Sequence, residues 1–388
     1  MALSRRGFVR TLGVGAAGVF SGALVGARGA EAWQATGGRA PSPGSGPLVR
    51  LDSNENPLGP GPRTVEAIRA ALGEASRYPH RAGDSLPEAI ARFHAVPKEQ
   101  VLVACGSGEI LRIAVEAFVS PARPLVAALP TFETCTRTAQ FLKYPVHEVP
   151  VDDHLALDLA AMEDRAAAGA GLVFFCNPNN PTGPVHGRTR VADFVAHVTK
   201  RAPDTMILID EAYHDYVDDP SYSTAVPLAL ESPQVVVSRT FSKVYGLAGL
   251  RIGYAIGRRE TLDRLAGWKL GNGINILGIR AAIAAVGDRA HVEEGRAANR
   301  RGREALRRSF VDMGYRVAES QGNFILVDVR RDAEAFAKEC RAQGIAVGRP
   351  FPPLTTWSRI TVGTEPEMRQ ATDVFRKVLA GSRSVSVS

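Results

Sequence analysis

The chain has few cysteines and no grouping of them that chemistry would need. The four, at positions 105, 135, 176 and 340, show no paired metal-ligand spacing. Those in or beside apolar runs read as small apolar packing, and no disulfide is expected. A strong charge excess is also missing. The formal net charge of +7 drops to +4 without residues 1–32, where Arg5, Arg6, Arg10 and Arg28 outnumber Glu31. So mild a balance is not a nucleic-acid footprint. There is no internal repeat, and low complexity is confined to the Pro- and Gly-rich linker Thr36 to Pro47, which is read as disordered. The apolar stretch from Thr11 to Ala27 is short and weakly hydrophobic, which argues against a membrane span or any stable anchor.

What is present is a succession of buried-strand patterns. Val101 to Val103, Leu172 to Phe175, Met206 to Ile209 and Val235 to Val237 are apolar runs that alternate with helical stretches. Such alternation predicts an α/β fold with a mostly parallel sheet covered on both faces. After Arg289 the pattern changes to a long Arg-rich amphipathic helix, strands near 323–327, 345–347 and 359–362, and a closing helix, so a smaller α+β domain is expected. The expected boundaries are 48–77 for an arm packing on that small domain, 78–287 for the large domain and 288–388 for the small one, with the active site in the cleft between them.

The most informative segment is Ser238-Arg-Thr-Phe-Ser-Lys-Val-Tyr-Gly-Leu-Ala-Gly-Leu-Arg251. One lysine, Lys243, stands between hydroxyls and a glycine-rich turn, which suits covalent bonding to an aldehyde. Thr240, Ser242 and Arg251 would hold a phosphate, and Gly246 and Gly249 would let backbone approach closely. Met206-Ile-Leu-Ile-Asp-Glu-Ala-Tyr213 reads as a buried strand ending in an acid, at the end where open α/β sheets bind ligands. Asp210 there could keep a pyridine nitrogen protonated, and Tyr213 could reach the ring's phenolic oxygen. Leu172-Val-Phe-Phe-Cys-Asn-Pro-Asn-Asn-Pro-Thr-Gly183 runs a strand into a turn with more amides than a turn needs, and Asn180 is aimed at the same oxygen. In Val101-Leu-Val-Ala-Cys-Gly-Ser-Gly-Glu109, the N–H groups of Ser107 and Gly108 open a helix and would cradle the phosphate.

Together these segments resemble fold-type I pyridoxal-phosphate enzymes, and most closely the histidinol-phosphate aminotransferase branch of the class I/II aminotransferases. The resemblance runs from about Leu51 to the last helix. Further anchors are Asn54-Glu-Asn-Pro-Leu-Gly-Pro60, Tyr78-Pro79, Pro130-Thr-Phe132, Gly322-Asn-Phe324 and Arg359-Ile-Thr-Val-Gly-Thr364. It implies pyridoxal 5'-phosphate as cofactor, with Lys243 as the Schiff-base lysine, Asp210 as the pyridinium partner, and Asn180 and Tyr213 on the phenolic oxygen. Ser107, Gly108, Thr240, Ser242 and Arg251 then form the phosphate cup, and Phe132 stacks on the ring. Tyr78 matches a residue that reaches the cofactor phosphate of a neighbouring subunit, which implies a homodimer. Arg359 matches the arginine that grips the substrate's acidic end, and Arg349 stands near the arginine that meets a substrate phosphate.

The chain also departs from that pattern. Gly108 stands where many relatives have aspartate and Leu58 where tyrosine is common in some, and near Ile345 to Pro353, where relatives usually show Val-Arg, Gly348 precedes Arg349. Arg349 is kept as a substrate-binding candidate, and Gly348 with the prolines after it gives a way for it to be displaced from the substrate's distal group.

The amino terminus carries an independent signal. Ser4-Arg-Arg-Gly-Phe-Val-Arg10 followed by an apolar Gly- and Ala-rich stretch resembles a twin-arginine export leader, with cleavage after Ala32 or Ala27. The expectation is a signal peptide over 1–32, a linker over 33–47, transit through the twin-arginine machinery and a periplasmic or outer-face destination. Mechanistically, transamination between an amino acid or phosphorylated amine and a 2-oxo acid is expected, with Lys243 moving the proton from the donor's Cα. The cofactor cage is shared by decarboxylases and β-lyases, and an exported binding protein with little turnover is a further alternative. Lys243, Phe132 and Arg359 together favour catalysis.

Overall fold

The computed structural model describes residues 48–79 and 83–381. The proposed leader and the linker up to Pro47 lie outside them. After a short first strand, β1 (Val49–Leu51), the chain builds one seven-stranded sheet. Its strands are β2 (Val101–Cys105), β3 (Leu125–Leu129), β4 (Val146–Pro150), β5 (Leu172–Cys176), β6 (Met206–Asp210), β7 (Val235–Thr240) and β8 (Ile252–Gly257), in the order β2-β8-β7-β6-β5-β3-β4.

The apolar runs are continuous because each strand buries both faces. In β5, Leu172, Phe174 and Cys176 pack into one core while Val173 and Phe175 pack into the other. Strand side chains alternate with a period of two, so a sheet covered on both sides needs apolar residues at every position. Neighbours from β4 to β7 pair in parallel, and β8 alone runs the other way, antiparallel to both β7 and β2. The reversal follows from connection length: Phe241 to Arg251 is too short for a crossover, which takes a dozen or more residues.

This topology gathers the predicted motifs at one edge of the sheet. β3, β5, β6 and β7 all end there, and register places Cys105 opposite Ile252 and Thr240 opposite Gly253, so the end of β2 and the start of β8 join them. The helix Ser107–Phe118 starts at that edge and buries Ile110, Leu111, Ala114 and Phe118 beneath the sheet.

The remainder of the chain has its own core. β9 (Phe324–Asp328), β10 (Ile345–Val347) and β11 (Trp357–Thr361) follow the long helix Arg289–Asp312. β11 pairs antiparallel with β9, and β1 pairs parallel with β10. Leu51, Phe310, Ile325, Phe336, Ile345 and Phe375 fill the space between these strands and three helices. The segment Leu48 to Arg77 divides its packing, which corrects the expectation of a single arm on the C-terminal part. β1 joins that core, whereas the helix Pro62–Ala71 lies on Ile276–Val286 and Ile68 packs on the central core.

Candidate active site

One end of the site is built from backbone and hydroxyls. Ser107 and Gly108 occupy the first turn of their helix, where N–H groups have no intrahelical acceptor and the dipole favours an anion. Gly106, before them, has φ +74°, and a Cβ there would lie 2.3 Å from Arg251 Nη2. The guanidinium therefore lies over the turn only because residue 106 has no side chain. Arg251 itself is left-handed at φ +57°; its Nη1 donates to Ala248 O at 2.9 Å and reaches Ser242 Oγ at 3.4 Å. Thr240 Oγ1 lies 3.0 Å from Ser242 Oγ. Five residues predicted to form a phosphate cup thus converge, although 133 positions separate Ser107 from Thr240.

Of the two glycines expected to permit close approach, one does so. A Cβ on Gly246 would fall 2.2 Å from Gly59 O, whereas nothing lies within 4 Å of a Cβ on Gly249. Gly249 is set by no contact, because its turn faces open space. Gly108 is equally uncrowded.

The middle of the site is buried and polar. Asp210 ends β6 at 2% exposure, and its Oδ1 has no hydrogen-bond partner. Burial pushes its carboxyl up to about 7. Lys243 is part-buried; its Nζ donates to Asn54 O at 3.0 Å, and burial, followed by the charge of Arg359, lowers it to about 7. Both groups are therefore held toward their neutral forms. Tyr213 Oη accepts from Asn54 Nδ2 at 2.9 Å and from Asn180 Nδ2 at 3.2 Å, so the phenol proton remains available to donate. Burial raises the Tyr213 pKa well above the ordinary phenol range.

The amides after β5 divide their work. Asn177 exchanges hydrogen bonds with His186 backbone, and Asn179 bonds Pro130 O, Thr131 Oγ1 and Thr182 Oγ1. Asn180 alone reaches Tyr213 and Arg359. Beneath lies a buried pair, Arg239 to Glu211 Oε2 at 2.9 and 2.7 Å, whose carboxylate also accepts from Thr224 Oγ1 and Ala225 N. Removing one partner of so buried a pair costs roughly 3–5 kcal/mol.

The outer end is a cavity of about 250 Å³ lined by Phe132, Glu133, Arg137, Asn180, Arg349 and Arg359, among others. Arg359 is 8% exposed; it donates to Asn180 Oδ1 at 2.8 Å and Asp52 O at 2.7 Å, and its Nε has no partner. A buried guanidinium with only neutral acceptors is no surface salt bridge, and burial lowers its pKa. Phe132 is 40% exposed on this cavity, not in a core. Arg349 lines it as well. Gly348 explains why the sequence looks irregular here. Its N donates to Arg359 O at 2.8 Å, and a Cβ would sit 2.7 Å from that oxygen, so an arginine at 348 would not fit without a backbone shift. Tyr78, at 76% exposure, does not line the cavity.

Three site residues carried no predicted role: Asn54, Asn323 and Thr361. Asn54 N donates to Thr361 Oγ1 at 2.9 Å, 307 residues away, and Thr361 Oγ1 donates back to Asn54 Oδ1 at 3.0 Å. Asn323 Nδ2 donates to Asn54 O and Glu55 O. Asn54 has φ +53°, a conformation asparagine tolerates better than most residues. The only signal was membership in the anchors Asn54 to Pro60, Gly322 to Phe324 and Arg359 to Thr364.

Residues 47–375 match the family described as aminotransferase class I and II. This chain belongs to that family. The histidinol-phosphate aminotransferase of Symbiobacterium thermophilum is 36% identical over 334 residues, covering 86% of this chain and 91% of that relative. The enzyme of the same name from Moorella thermoacetica is 34% identical over 336 residues, 86% of each chain. Among solved structures, histidinol-phosphate aminotransferase from Sinorhizobium meliloti in complex with pyridoxal-5'-phosphate superposes with a TM-score of 0.80 at 27% identity, over 86% of this chain and 92% of that one. Aspartate aminotransferase from Thermus thermophilus, with a TM-score of 0.75 and 22% identity over 86% of this chain and 92% of that one, shares the fold.

The protein is thus a fold-type I aminotransferase that uses pyridoxal phosphate, acting between an amino donor and a 2-oxo acid. The aminotransferase's own residues fit that cofactor. The orphaned, buried Oδ1 of Asp210 needs a donor, which a protonated ring nitrogen supplies. The helix start at Ser107, with Thr240, Ser242 and Arg251, suits a phosphate.

Proposed function

We propose that this aminotransferase acts on a primary amine whose acidic group, carboxylate or phosphate, is held by Arg359. The observation that carries this reading is the placement of a buried guanidinium without an anionic partner on the same cavity as Phe132 and beside Asn180. The names of the relatives support phosphorylated amines such as histidinol phosphate as one donor class.

Bound pyridoxal phosphate supplies an aldehyde for covalent attachment and a ring that withdraws electrons. The roles we assign to the chain are these. Asp210 would keep a proton on the ring nitrogen, Asn180 and Tyr213 would hold the phenolic oxygen, Phe132 would cover the ring face, and Ser107, Gly108, Thr240, Ser242 and Arg251 would hold the phosphate. Lys243 Nζ would hold the cofactor's aldehyde and would take and return the proton at the donor's Cα. A pKa near 7 suits both directions of that transfer, since neither form is strongly favoured at neutral pH. Tyr78 is assigned to the phosphate of a second copy, in a homodimer; its high exposure within one chain is consistent with such use.

Borohydride reduction followed by peptide mass mapping tests the covalent assignment, with the label expected on Lys243; label on another lysine overturns it. A panel of amino acids and phosphorylated amines with 2-oxoglutarate, with keto product and carbon dioxide both measured, tests the reaction. Carbon dioxide release at the rate of donor loss would instead favour decarboxylation. We further propose export by the twin-arginine route, supported by Ser4 to Arg10 and the apolar stretch behind it. Changing Arg5 and Arg6 together to Lys should trap the precursor inside the cell.

A further inference from the structure

The outer end of the cavity holds a carboxylate where a substrate-binding site for acids would not be expected to have one. Glu133, the residue after Phe132, lies between two arginines. Its Oε2 is 2.6 Å from Arg349 Nη2 and 2.6 Å from Arg137 Nη2. Arg349 and Arg359 both face the ring of Phe351, at 4.3 and 4.9 Å from its centroid, so one aromatic spacer separates the paired guanidinium from the unpaired one. All five residues line the same cavity. The contrast in partners is the informative point. Arg359 has neutral acceptors and is open to an anion, whereas Arg349 already has a carboxylate of this chain on it.

We propose that Glu133 is a built-in counter-ion that occupies Arg349 and so biases donor choice against doubly charged phosphate and toward acids of single charge. The inference rests on the reading that Arg359 receives the donor's acid. A carboxylate bound to Arg359 leaves the Glu133–Arg349 pair undisturbed. A phosphate, larger and with up to two negative charges, that also draws on Arg349 must either displace Glu133 or sit beside it, and like charges at that range repel. The side chains of Glu133 and Arg349 are 31% and 49% exposed, so water and salt screen the effect and it is moderate.

The test uses the holoenzyme with histidinol phosphate and histidine as donors. Glu133→Gln keeps the shape and removes the charge. Its kcat/KM for histidinol phosphate should rise roughly tenfold, carried by KM with kcat unchanged, while histidine changes by less than about threefold. In an Arg349→Gln background the same substitution should have no such effect, because Glu133 acts through Arg349. Affinity for inorganic phosphate, measured by calorimetry without turnover, should rise in Glu133→Gln and not in the double variant. Equal changes for both donors, a loss for the phosphorylated donor, or an undiminished effect without Arg349 would overturn the proposal. If wild-type holoenzyme moves no amino group from any donor, the transamination reading fails instead, and the phosphate titrations still decide the role of Glu133.

Discussion

The two ends of the cleft differ in how their charges are satisfied. At the cofactor end, Asp210 and Lys243 are enclosed by protein, and burial drives each toward its neutral form. Lys243 Nζ finds its acceptor, Asn54 O, 189 residues away, and Asp210 Oδ1 has none. At the outer end, Arg137 and Arg349 share the single carboxylate of Glu133 across a short, part-exposed surface cluster. The enclosed end can hold a fixed chemistry because its groups have nowhere else to go. The open end can change partners, because exchange with water and substrate is cheap there. The roles we propose follow that division, with catalysis in the first and choice of donor in the second.

Substitutions separate the two ends by size of effect. Lys243→Ala should lower kcat roughly 10⁴-fold or more, since it removes both the covalent bond and the proton carrier, while phosphate-anchored cofactor is still retained. Absorbance of the dialysed protein and single-turnover rates check this together. Asp210→Ala should lower kcat roughly 10²- to 10⁴-fold with little change in KM, because the ring nitrogen loses the carboxylate that keeps it protonated. A parallel rise in KM would move Asp210 out of the chemistry.

At the boundary of the two ends, Arg359→Ala should weaken transition-state binding by about 2–5 kcal/mol for any acid-bearing donor, read as kcat/KM. The smallest change is Gly348→Ala. Its Cβ would meet the Arg359 carbonyl at 2.7 Å, so an overpacking loss of about 1–3 kcal/mol in unfolding free energy is expected.

The comparison also has a pH signature. The Asp210 carboxyl is raised from 3.8 to about 7 in the folded protein. Between those values the folded state binds more protons than the unfolded one, so this group's contribution to stability is greatest below pH 4 and declines as pH rises toward 7. Denaturant unfolding of cofactor-free protein should show that decline, Asp210→Asn should remove it, and loading with pyridoxal phosphate should diminish it by giving the ionised carboxylate a partner.

Much of the enclosed end could be read from the chain. Strand β6 ends in Asp210, β5 runs into Asn180, and β7 leads through Thr240 and Ser242 to Lys243, so each residue's position follows from a local strand-to-turn pattern. Period-two burial on both faces made the strands visible as apolar runs, and parallel pairing brings their ends to one edge. The tie of Asn54 to Thr361 was not readable, because a hydrogen bond across 307 residues leaves no local pattern. Nor was the demand for glycine at 348, which comes from the carbonyl of Arg359 on a neighbouring segment.

Sequence by itself therefore determined the cofactor chemistry, since a lysine, an acid and a phosphate turn are each specified by a few adjacent residues and the backbone they impose. Tertiary structure alone decided which arginine lacks an anionic partner. Arg359 and Arg349 are alike in covalent structure, and only packing could give one a buried site with neutral acceptors and the other the carboxylate of Glu133. A side chain's charge is written in the sequence; whether that charge is already neutralised depends on what the fold places within a few ångströms of it.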